Sequence, residues 1–159
     1  MSEPNILLTR IDNRLVHGQV GNAWVGAVGP NLIVVADDDA ANDPVQQSLM
    51  NMTAQSVGVG IRFFTLQKTI DIIHKAKASQ KIFLVCKTPQ NALKLIQGGV
   101  PIKELNVGNM HASEGKHVLK ESHVYVDDAD LKTFEDIKAS GTKVYIQIAI
   151  APGDKKYDI

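Results

Sequence analysis

Short apolar runs alternate with amphipathic segments along the whole chain. The runs lie at Ile6–Leu8, Leu32–Ala36, Ile61–Phe64, Ile82–Cys86, Leu105–Val107, His123–Val126 and Val144–Ile150. Several are nearly continuous in apolar residues, as strands buried on both faces of a parallel sheet require. Segments with helical spacing fill most of the gaps. Val20, Ala23, Trp24, Ala27 and Val28 mark a first helix, which Gly29-Pro30 stops. Asp43-Pro44 opens a second, with Asp43 as N-cap, Pro44 at the first helical position and Val45, Leu49 and Met52 as the apolar stripe. Ile70 and Ile73 fall within a third, from Leu66 to Lys77. Thr88-Pro89 repeats the cap-then-proline signal before Ala92, Leu93 and Ile96, and Gly98-Gly99 ends that helix. Leu131, Phe134 and Ile137 mark a last helix, capped by Asp127 or Asp128 and stopped by Gly141. The segment Gly108 to Ser122 has no clean period and reads as an irregular loop with a short helical turn. The polar tail Ala151–Ile159 reads as loosely held.

This alternation predicts one α/β domain over residues 1–159. Its core is an open, doubly wound, mostly parallel sheet of about six or seven strands with helices on both faces. Ligands bind such sheets outside the carboxyl ends of the strands. Five segments should converge there: Thr9–Gly18, Asp37–Asp43, Lys87–Thr88, Val107–His111 and Asp127–Asp128.

Composition narrows the classes of function. Lys+Arg and Asp+Glu both number 17, so no global field draws the protein to nucleic acid or an anionic membrane, and local patches must do any electrostatic work. The single cysteine, Cys86, excludes an internal disulfide and, within the run IFLVC, is expected to be a buried, inert thiol. No apolar stretch reaches the roughly 18 residues of a membrane span. MSEPN lacks the basic and apolar regions of a signal peptide, so a cytoplasmic location is expected.

The chemistry concentrates in RIDNRLVHGQV, Arg10 to Val20, between a strand and a helix. His17 has Arg10, Arg14 and Asp12 within seven residues, and Gly18 and Gln19 follow it. Imidazole is a nucleophile near neutral pH, and phosphoryl transfer to it calls mainly for positioning and charge stabilisation. Arg14 offers a bidentate fork, and Arg10, Gly18 and Gln19 are candidate phosphate-binding residues. The amides of Gly18, Gln19 and Val20 offer an anion site at a helix start, which Gly18 lets the ligand approach closely. Asp12 can orient Arg14 or the imidazole. The scheme needs no metal, and no zinc-type Cys/His spacing or HExxH motif occurs. The alternative is that His17 is a polar turn residue beside solvated arginines. Asp37-Asp38-Asp39 is open to two readings, strand-end capping or an acid that orients the His17 loop. Candidate outer contacts are Asp38, Lys87, Asn109 and His111. His74, His117 and His123 read as structural, solvated or unplaced.

RIDNRLVHGQV resembles the active-site loop of the IIB components of the mannose/sorbose family of the bacterial phosphoenolpyruvate-dependent sugar phosphotransferase system. VVADDDAANDPVQQSLM, KTPQNALKLIQGGV, ELNVGNM and SHVYVDDADLKTFEDIKASG resemble later landmarks of that family. DDAANDPVQQSLM, FFTLQKTIDIIH and FLVCKTPQNALKLIQGGVP look most like IIB proteins of N-acetylgalactosamine systems. The resemblance implies a phosphohistidine carrier without cofactor, which accepts a phosphoryl group from a separate IIA protein on Nδ1 of His17. It then passes the group to a sugar, N-acetylgalactosamine or a related amino sugar or hexose, arriving through the membrane subunits IIC and IID. Those subunits would hold the protein at the inner face of the membrane. Arg14 and Asp12 match the pair that binds the phosphoryl group and orients the site. Arg10, Lys87 and Lys116 are then candidate rim charges facing an acidic surface on IIA. Two rivals remain. One is a receiver-like module phosphorylated on an aspartate of Asp37–Asp39, and the other is a hydrolase with a histidine nucleophile, although Val16 stands where an Arg-His-Gly motif needs arginine.

Overall fold

A computed structural model describes residues 3–120, 122–147 and 156–159, and the side chains of all of these except 19–22. The strands are β1 (Asn5–Asp12), β2 (Leu32–Ala36), β3 (Gly60–Phe64), β4 (Lys81–Cys86), β5 (Glu104–Asn109), β6 (His117–Val118), β7 (Tyr125–Val126), β8 (Lys143–Ile146) and β9 (Tyr157–Asp158). The helices are α1 (Gly18–Val28), α2 (Pro44–Ser56), α3 (Leu66–Ile72), α4 (Pro89–Gln97) and α5 (Asp128–Ala139). Seven strands form one sheet in the order β3-β2-β4-β1-β5-β8-β9. All pairings within it are parallel except that of β8 with β9. The predicted α/β architecture is therefore the one observed.

Alternation along the strands explains why both faces are covered. On β2 and β4, Ile33, Val35, Phe83 and Val85 point to one face, where they pack with Trp24 and Val25 of α1 and Met50 and Ala54 of α2. Val34, Ala36, Ile82, Leu84 and Cys86 point to the other, with Leu66 of α3, Ala92 and Leu95 of α4, and Phe134 and Ile137 of α5. Cys86 is fully buried, and burial pushes its thiol up to about 12.

The helix starts are chemically defined. The Asp43 carboxylate accepts from the amides of Val45 and Gln46, and the Thr88 hydroxyl from that of Asn91. Asp127 heads α5 in a reciprocal capping box with Asp130.

Four expectations change. The strand predicted to stop at Leu8 runs on to Asp12, so Arg10 and Asp12 sit in the sheet and not on a loop. Inside α2 the buried side chains are Met50 and Ala54, while Val45, Leu49 and Met52 face outward. His123–Val126 does not enter the main sheet. Its end, β7, pairs antiparallel with β6 in a small ribbon, which replaces the expected helical turn of the segment after β5. Asp127–Asp128 accordingly follows the ribbon and not a strand of the main sheet. Finally, the tail contributes β9, an antiparallel edge strand on Tyr145 and Ile146. Residues 148–150 of the last predicted strand lie outside the described residues.

Candidate functional site

The carboxyl end of β1 lies at the middle of the sheet, flanked by the ends of β4 and β5. The chain leaves β1 toward β2 on one side and leaves β5 toward β8 on the other. Such a divergence opens the crevice in which doubly wound sheets hold ligands.

Asp12 is the hub. Its side chain is 1% exposed, and four groups converge on it. The Arg14 amide donates to Oδ1 at 3.0 Å, and the Arg14 guanidinium Nε lies 3.6 Å from the same oxygen. Oδ2 faces His17 Nε2 at 3.3 Å and the Arg10 guanidinium at 3.4 Å. A buried carboxylate needs such partners, because desolvation without them costs several kcal/mol. The turn from Asp12 to His17 is closed by the Leu15 amide donating to the Asp12 carbonyl at 2.9 Å. It places Leu15 in the left-handed region, φ 58°, where its buried side chain holds it. His17 takes the N-cap position of α1 in extended conformation, with no side-chain cap on the helix. Gly18 follows at φ 35°, a conformation that favours glycine. This turn therefore gives the helix start to the loop carrying His17 and Arg14 and leaves α1 without the Ser, Thr or Asp cap usual elsewhere.

Arg10 has a different role from the one the sequence suggested. It is 3% exposed and does not line the open groove, so it is not the rim charge expected, and its place is behind Asp12 and not at the phosphate position the sequence suggested. Its guanidinium donates to Asn106 Oδ1 at 2.5 Å and to the Gln147 carbonyl at 2.9 Å, and its Cζ lies 4.5 Å from the centre of the Trp24 ring. Burial pulls its pKa down to about 10, with Asp12 acting in the opposite direction, so it is charged at neutral pH. Gly108 makes room for it. On β5 the register jumps past Gly108, Ile11 pairing with Val107 and Asp12 with Asn109, so Gly108 is the extra residue of a bulge. A Cβ there would collide with the Arg10 guanidinium. Sequence reasoning missed Gly108, Asn106 and Trp24; a glycine inside a strand-like run is the signal that could have pointed to the first.

Of the other predicted site residues, Asn109 ties β5 to the turn: its amide group donates to the Asn13 side chain, and its carbonyl accepts from the Asn13 amide at 3.0 Å. His111 is exposed just beyond. Lys87 pairs with Asp37 at 3.6 Å. Lys116 pairs with Asp130 at 2.9 Å, which occupies it at the start of α5. Asp37 accepts from the Ala40 amide, and Asp38 from the Leu66 amide across the β2–β3 edge, so both carboxylates serve as caps. The Gln19 side chain lies outside the described residues.

The site opens into a groove of about 440 Å³. Arg14, Val16, His17 and Gly18 form one wall, and Gln46, Leu49, Met52 and Thr53 of α2 form much of the other. Arg14 is half-exposed at its rim. Chemically, the arrangement offers an oriented imidazole with an arginine beside it on an open surface. Among the described residues no cluster of His, Cys, Asp or Glu is suited to hold a metal ion.

Comparison with known proteins points the same way. Residues 6–159 match the family described as the PTS system sorbose subfamily IIB component. The chain is 58% identical over 159 residues to the N-acetylgalactosamine-specific phosphotransferase enzyme IIB component 1 of Escherichia coli (strain K12), covering 100% of this chain and 99% of that one. The crystal structure of an N-acetylgalactosamine-specific IIB component 1 from Escherichia coli superimposes with a TM-score of 0.93 at 57% identity, covering 98% of this chain and 99% of the other. An N-acetylgalactosamine IIB component from Streptococcus pyogenes superimposes with a TM-score of 0.89 at 38% identity, covering 100% and 96%.

Proposed function

The chain belongs to the sorbose subfamily of phosphotransferase-system IIB components, which are sugar phosphotransferases, and from that premise we propose that it carries the phosphoryl group on His17. A IIA protein supplies the group, and a sugar arriving through the membrane subunits IIC and IID receives it. The observation that carries this reading is the contact of buried Asp12 with His17 Nε2. An acid on Nε2 holds the proton there and leaves the Nδ1 lone pair to attack phosphorus. The carboxylate also steadies the positive charge that the ring acquires as the N–P bond forms.

Arg14 supplies charge for the phosphoryl oxygens. Half-exposed, it grips less than a buried fork would, which suits a group that must be passed on. Arg10 acts one step back, holding Asp12. The names of the relatives support N-acetylgalactosamine as the sugar. Docking to IIC and IID would keep the protein at the inner face of the membrane; no helix among the described residues is long and apolar enough to cross it.

The test is phosphorylation by phosphoenolpyruvate, the general phosphotransferase proteins and IIA. The wild type should acquire one acid-labile, base-stable phosphate, and His17→Gln should acquire none. Label of the same stability on the His17→Gln protein would refute the assignment.

A further inference from the structure

We propose that the outward face of α2 is the docking surface for the phosphohistidine protein that charges His17, a partner whose contact face is apolar around its histidine. The proposal rests on the phosphocarrier reading above and names where the donor sits.

The observations begin with composition. The sequence of α2, PVQQSLMNMTAQS, has no charged residue in 13 positions, in a chain where 21% of residues are charged. A solvated helix normally turns charge outward and apolar residues inward. Here Met50 and Ala54 are buried, while Val45, Leu49 and Met52 are 71%, 62% and 67% exposed. Their spacing of four and three residues puts them on one stripe. Contiguous exposed apolar surface marks an interaction site more often than chance. Loss of charge and presence of methionine are the composition of protein-interface cores. The thioether of Met52 also adapts to more than one opposing shape.

The stripe is continuous with the site. Leu49 and Met52 form part of the wall of the groove that Arg14 and His17 line on the other side. For the phosphoryl group to pass between two histidines, both ring nitrogens must lie within about 3–3.5 Å of phosphorus. The donor ring must therefore enter this groove, and the surface around it must rest on α2. The groove's charged groups also fit a phosphorylated donor: among the described residues Arg14 lines it and no carboxylate does.

The test separates docking from chemistry. The variant carries Val45→Ser, which removes apolar surface at an exposed helix position that does not line the groove, without adding charge. A native circular-dichroism spectrum and melting temperature establish its fold. His17 is then charged by two donors. Phosphoramidate is small: its P–N bond breaks, ammonia leaves, and the new P–N bond forms on the imidazole. Phosphorylated IIA is the protein donor.

The variant should take phosphate from phosphoramidate at the wild-type rate. From IIA its rate at low donor concentration should fall on the order of 10-fold, through a raised KM for IIA. Wild-type kinetics with IIA would overturn the proposal. So would an equal loss with both donors, since α2 would then act on the site itself. A wild-type protein charged by neither donor would instead refute the phosphocarrier reading, and the proposal would fall with it.

Discussion

At the scale of single residues, the candidate site depends on side chains that do not line the groove beside His17. Arg10 holds Asp12, Asp12 holds His17, and Gly108 leaves space for Arg10. Gly108→Ala should therefore push the guanidinium off its partners. The expected cost is about 1–3 kcal/mol of stability, as for overpacking elsewhere, measured by urea unfolding, with slower charging of His17. Gly26→Ala is the control. Gly26 lies in α1, where a new Cβ meets nothing within 4 Å, and alanine should stabilise the helix by roughly 0.5–1 kcal/mol. Equal effects of the two substitutions would remove Gly108 from the chain of support.

Elements show what periodicity can and cannot reveal. Caps were legible: Asp43, Thr88 and Asp127 sit where the cap-then-helix pattern puts them, because a side-chain acceptor next to free amides is a local device. The orientation of α2 was not. A stripe of Val45, Leu49 and Met52 has the same spacing whether core or partner covers it, and only the third dimension shows which. The reach of β1 was hidden for a related reason. Arg10 and Asp12 read as loop residues, yet they neutralise each other inside the sheet with help from Asn106. His17 and its neighbours Asp12 and Arg14 were legible because they lie within six residues of sequence; Gly108, Asn106 and Trp24 were not, since strand pairing and helix packing bring them in from elsewhere.

The start of α5 makes the stability of the fold depend on pH. Burial raises the Asp130 carboxyl, but bonds from Gln90, Lys116 and the Asp127 amide outweigh it and hold the group below its usual range. A depressed carboxyl contributes stability that is full above the ordinary value of 3.8 and is lost as pH falls through the lower, folded-state value. Asp130→Ala should cost on the order of 1–3 kcal/mol at pH 7, with a smaller difference from wild type below pH 4, read by urea unfolding. A pH-independent difference would mean that packing, not the carboxylate, is what Asp130 supplies.

For the whole molecule, a central sheet with a helical layer on each face separates rigidity from exchange. Both faces of β2 and β4 are sealed by apolar side chains. The polar residues at the carboxyl ends therefore stand on a floor that does not have to move when a partner arrives. The cysteine in that floor has a practical use. Cys86 is fully buried, with its thiol pushed up to about 12, so in the native state thiolate and access are both lacking. Alkylation by a maleimide should then be limited by the rate at which the sheet itself opens, and denaturant should speed it in step with global unfolding. Fast modification of the native protein would show a local breach at β4. Otherwise the lone thiol serves as a clock for unfolding, and a cysteine introduced on the surface can carry a dye with no competing signal from within.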